Sequence, residues 1–65
     1  MGKYNHVLIG AIRDAGYKNG QVAEMCNIEQ ARFSRILNGI FKARPYEKRE
    51  ISKVLRKSQK FLFSE

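Results

Sequence analysis

NGQVAEMCNIEQARFSRILNG, the stretch from Asn19 to Gly39, divides into two short helices around a tight turn. The first is predicted from about Gly20 to Cys26. The second starts near Gln30 and ends at Asn38, with Gly39 free to take the left-handed stop conformation. Val22, Cys26, Ile28, Phe33 and Ile36 supply the apolar positions, and Ala23 is small where two crossing helices need close approach. Asn27 sits at the corner, where the chain needs a positive φ and Asn is the best non-glycine choice. The outer face of the second helix stays polar: Gln30, Ala31, Arg32, Ser34 and Arg35. A helix with one buried face and an outer row of Gln and Arg has the chemistry of a helix that reads DNA in the major groove.

Before this stretch, Asn5 can cap a helix from about His6 to Ala15. Leu8, Ala11, Ile12 and Ala15 form one apolar stripe at helical spacing. Gly10 lies inside it, a choice that suits close passage of another helix. Gly16 is a good stop, and Tyr17 is expected to fold back onto the core. Asn19 is the expected cap of the next helix, and the acidic Glu29 suits the start of the one after. After Gly39 comes a loop, IFKAR. Pro45 fits the first turn of a fourth helix, where its missing N–H is unpaired anyway. Ile51, Val54 and Leu55 supply the buried stripe of that helix, and its acidic start and basic end match the helix dipole. Ser58 can cap a final short helix carrying Phe61, Leu62 and Phe63. No strand pattern, repeat or linker is visible, so the reading is all-α, five helices, one domain over residues 1–65.

The chain has 65 residues, a formal net charge of +7 and 43% hydrophobic residues. That length buries only a modest core, which gains from a partner. Lys42, Arg44, Lys48, Arg49, Lys53, Arg56, Lys57 and Lys60 crowd one region against Glu47 and Glu50. A polyanion is the first partner to expect. Cys26 is the one cysteine, so an internal disulfide is excluded and a small buried hydrophobe is the natural reading. A reducing cytoplasm fits that usage. No apolar run is long enough to span a membrane. Gly2 alone is weak evidence for an N-terminal lipid.

The run VAEMCNIEQARFSRILNG, closing on Ser34, Arg35, Ile36, Leu37, Asn38 and Gly39, resembles the phage repressor/Cro family of helix-turn-helix domains, the XRE family. The likeness extends from about Leu8 to Phe63, with Leu55 and then Leu62-Phe63 similar to the closing helices of that family. It implies a lambda-repressor-like bundle of five helices with the helix-turn-helix at about residues 20–38. It also implies operator binding, usually by a dimer on a palindromic site. The chain departs from the family in four places. Asn27 and Arg56 stand where glycine is frequent, Lys18-Asn19 stands where Thr-Gln is common, and the apolar pair Ile40-Phe41 follows the recognition helix.

On this reading Gln30, Ala31, Arg32 and Arg35 are the candidate base readers. Gln suits adenine, a methyl suits thymine, and Arg suits guanine or phosphate. Asn19, Ser34, Asn38, Lys42 and Arg44 are the candidate phosphate contacts, which add affinity without sequence information. His6 and Cys26 have no partners at a metal-ligand spacing, and no cofactor is expected. Asp14, Glu24, Glu29, Glu47 and Glu50 read as surface charges, and no catalytic set is evident, so no enzyme is expected. The expected function is a sequence-specific regulator of transcription, a small phage-type or mobile-element repressor binding double-stranded DNA as a homodimer. The alternative is a protein-interaction module, an antirepressor or adaptor, on the same fold. Ile40-Phe41 and the Phe-rich end favour that alternative.

Overall fold

The computed structural model describes residues 4–63, so Gly2 lies outside the described residues. Five helices follow in order: α1 His6–Asp14, α2 Asn19–Met25, α3 Gln30–Leu37, α4 Pro45–Leu55 and α5 Gln59–Phe63. No strand occurs among the described residues. None of these helices is long and apolar enough to cross a membrane.

The helix starts follow local chemistry. Asn5 caps α1, its side-chain oxygen accepting the Leu8 N–H at 3.0 Å. The same residue reaches two other helices: its Nδ2 donates to the Leu62 carbonyl at 2.9 Å, and its backbone N–H donates to the Leu37 carbonyl at 2.9 Å. Lys18, not Asn19, is the residue before α2. Asn19 is already helical, one place later than a cap, and the Gln21 side chain accepts the Lys18 N–H at 3.4 Å. Glu29 precedes α3 without a side-chain cap bond. Ser58 holds α5, its hydroxyl accepting the Phe61 N–H at 3.1 Å.

The first four helices end by one device. After each, a residue with positive φ turns the chain: Gly16 at 82°, Asn27 at 59°, Gly39 at 76° and Arg56 at 56°. The next N–H then reaches back five residues: Tyr17 to Ile12, Ile28 to Ala23, Ile40 to Arg35 and Lys57 to Ser52. These are Schellman stops, which satisfy carbonyls that the helix leaves open. Arg56 therefore adopts the left-handed geometry that glycine usually supplies, and α4 ends at Leu55. The Ser52 hydroxyl helps, donating to the Lys57 carbonyl.

The core is one cluster drawn from all five helices. Leu8, Ile12, Val22, Ala23, Phe33, Ile51 and Leu62 are its most buried members, with Ile9, Tyr17, Val54 and Phe63 packed against it. Each large apolar side chain so buried contributes about 1.5–3 kcal/mol. Cys26 is buried in this cluster as a free thiol. Burial first, and the charge of Glu50 second, push that thiol up to about 11, so it stays protonated and unreactive. Gly10 does not serve a close helix crossing: a Cβ there would meet nothing within 4 Å.

Candidate nucleic-acid interface

α3 is held by one side and open on the other. Phe33, Ile36 and Leu37 are buried, whereas Gln30, Ala31, Ser34 and Arg35 are exposed. At 3.6 residues per turn, positions 30 and 34 lie on one line of the helix and 31 and 35 on the next. These four side chains therefore form one continuous outer strip. α2 packs against α3, and residues 26–29 make the turn between them. Asn27 and Ile28 close that turn through their bonds to Glu24 and Ala23.

The N-terminal end of the strip meets the start of α2. A Cβ on Gly20 would lie 3.3 Å from Gln30 Nε2 and 3.5 Å from its Cδ. The missing side chain at Gly20 is what lets the Gln30 amide lie against α2. Asn19, Gly20, Gln30 and Ser34 line a shallow cleft of about 180 Å³, floored by Phe33 and Leu37. Thus Asn19, Gln30 and Ser34, assigned separately from the sequence, come together at one place. Asn38 ends α3 and is half-buried, whereas Lys42 and Arg44 are exposed in the following loop.

Arg32 departs from the strip. Its Nε donates to Glu47 Oε2 at 2.7 Å and its Nη2 to Glu47 Oε1 at 2.9 Å. Glu47 also accepts the backbone N–H of Arg44 at 2.7 Å and is only 1% exposed. Glu47, expected from the sequence to be a surface charge, is a buried one. As the third residue of α4 it reaches back to the residue before the helix, the return half of a capping box. It then meets a guanidinium from α3. The Arg32 hydrogen bond, with help from the Arg44 N–H and the nearby positive charge, holds the Glu47 carboxyl below the usual carboxylate range, against the opposing effect of burial. The same bond raises the Arg32 guanidinium above its usual value.

Phe41 completes the arrangement. The guanidinium carbon of Arg32 lies 5.5 Å from the centre of its ring, and that of Arg35 lies 5.7 Å away. Both distances fall within cation–π range. The backbone reinforces the contact, since the Ile40 and Phe41 N–H groups both donate to the Arg35 carbonyl, at 2.9 and 3.3 Å. Sequence reasoning marks Phe41 as an apolar loop residue that favours a protein partner, not as a neighbour of the two arginines. Its spacing six residues after Arg35, beyond a glycine stop, is the signal that could have placed it. Among the described residues no group of His, Cys, Asp and Glu could hold a metal ion.

No protein-family model matches the chain, and neither characterised proteins nor solved structures supply a match.

Proposed function

We propose that this chain is a sequence-specific, double-stranded DNA-binding regulator of transcription. On this reading it has a lambda-repressor-like helix-turn-helix fold, with α2 and α3 as the motif and α3 entering the major groove. The observation that carries the reading is the α3 strip of Gln30, Ala31, Ser34 and Arg35, open to solvent on a helix whose opposite face is buried. A helix so presented brings amide, methyl, hydroxyl and guanidinium groups to base edges. Arg32 is engaged by Glu47, so base reading falls to Gln30, Ala31 and Arg35. Asn19, Ser34, Asn38, Lys42 and Arg44 serve the phosphates beside them, and the net charge of +7 draws the duplex in. A phage-type or mobile-element repressor acting as a homodimer on a palindromic operator is the specific form proposed. The phage repressor/Cro family is the one it resembles.

The test is selection of binders from random duplexes, read by fluorescence anisotropy at several salt concentrations. The expected result is a palindromic motif with half-sites about one helical turn apart. Arg35→Ala should then weaken specific binding by about 1–3 kcal/mol, and an unchanged affinity would remove Arg35 from the interface. Binding that falls steeply with salt and returns no motif would leave only a backbone binder. A second reading, a protein-interaction module on the same fold, draws on the exposure of Ile40, Phe41 and Phe61. Absence of DNA binding at low salt would favour it.

A further inference from the structure

We infer that Phe41 is a positioning residue for DNA reading, aiming the Arg35 guanidinium at a guanine in the major groove. The inference rests on the DNA-binding reading above and adds to it a base and a mechanism.

Arg35 lies on the exposed strip of α3, in a part of the chain where a free arginine side chain samples many rotamers. Here it has a platform. The guanidinium is over the Phe41 ring at 5.7 Å from its centre, and Phe41 is tied to the Arg35 carbonyl through its own N–H. The platform cannot tilt freely, because Arg32 lies over the same ring at 5.5 Å. Arg32 in turn is fixed by two bonds to the buried Glu47 carboxylate. A chain of contacts therefore runs from a buried anion through Arg32 and Phe41 to Arg35. A ring 42% exposed in a loop beside an exposed strip contributes little to the core, and it lies outside the buried cluster. One side of the residue lines a cavity with Ile36 and Phe63, and the ring meets the two guanidiniums.

A guanidinium resting on an aromatic face keeps its edge N–H groups free to donate. Guanine presents O6 and N7 side by side in the major groove, the pair that an arginine fork matches. Ordering the fork before binding lowers the entropy lost on contact, so the platform raises affinity for guanine more than affinity for the phosphate backbone.

The experiment uses the full chain and the duplex selected by it, with each guanine replaced in turn by 7-deazaguanine, which lacks the N7 acceptor. Wild type is expected to lose about tenfold in affinity at one guanine per half-site. Phe41→Leu should bind the natural duplex about tenfold more weakly, and its 7-deaza penalty should vanish. Phe41→Tyr, which keeps the ring face, should restore both. Arg35→Ala removes the donor and should also lose the penalty. Thermal melting checks that each variant is folded. A full penalty in Phe41→Leu, or in Arg35→Ala, overturns the inference. A selected duplex whose guanines are all indifferent to 7-deaza replacement also overturns it while leaving the DNA-binding reading intact. A wild-type chain that binds no duplex removes both.

Discussion

Arg32 and Glu47 join α3 to α4 through two parallel bonds, Nε to Oε2 at 2.7 Å and Nη2 to Oε1 at 2.9 Å. The two side chains differ sharply in exposure, 23% for the arginine and 1% for the glutamate. The pair is therefore lopsided: the cation can recruit water when its partner is lost, whereas the anion cannot.

Unequal costs follow for the two deletions. Glu47→Gln keeps the size and the Arg44 contact and should cost about 2 kcal/mol, the worth of hydrogen bonds to a charged group. Arg32→Ala leaves a buried carboxylate with one backbone donor and should cost more. Urea denaturation of both variants gives the order, and an Arg32→Ala chain as stable as wild type would show that the bridge is slack in solution.

The bridge also makes stability depend on pH. The Glu47 carboxyl titrates below its ordinary value in the folded chain, so its contribution is complete above an unfolded-state pKa of about 4.3. It is lost as pH falls through the lower folded value. The gap in melting temperature between wild type and Glu47→Gln should be constant near neutrality and shrink below about pH 4. A gap that persists unchanged at pH 2 would assign the stabilisation to packing instead of charge.

Arg56 pays a conformational cost in the left-handed region of about 1 kcal/mol. Arg56→Gly should raise stability by up to about that amount, offset in part by the greater freedom of glycine in the unfolded chain. Calorimetry showing a lower melting temperature would mean that the exposed arginine makes a contact worth more than the strain.

Gly10 sits in α1 with open space where its Cβ would be. Gly10→Ala should stabilise by about 1 kcal/mol through helix propensity alone. Circular dichroism melts would register this as a rise of several degrees.

Gly20 tests stability against binding. Gly20→Ala favours α2 by propensity but places a methyl against the Gln30 amide, 3.3 Å from Nε2. Gln30 is exposed and can move aside. The variant should fold at least as well as wild type and bind its selected duplex less tightly, with non-specific binding at low salt retained. Undiminished specific affinity would exclude the present Gln30 position from DNA reading.

The helices were legible in the sequence because their signals are local. Asn5, Pro45 and Ser58 mark starts, Gly16 and Gly39 mark stops, and the stripe of Leu8, Ala11 and Ile12 keeps helical spacing. Asn27 was legible as a left-handed corner for the same reason. Asn19 was misplaced by one residue because Lys18 has no capping oxygen, and the pairing that counts there uses Gln21. Glu47 was read as solvated because its partner lies 15 residues away, and no local pattern announces a tertiary ion pair. Arg32 was counted in the outer row for the same reason: helical spacing assigns a face, but not which neighbour a long side chain reaches. Phe41 was noticed for its hydrophobicity, whereas its position depends on how the glycine stop folds the loop back over Arg35.

The Asn5 side chain donates to the carbonyl of a residue 57 positions away, while its own N–H holds the end of α3. Peeling either α1 or α5 from the bundle breaks that bond, so the two helices support one another. Loss of the Asn5 amide, as in Asn5→Ala, should therefore speed hydrogen exchange in both α1 and α5. Asn5 thereby clasps α1, α3 and α5 together at one point of the bundle.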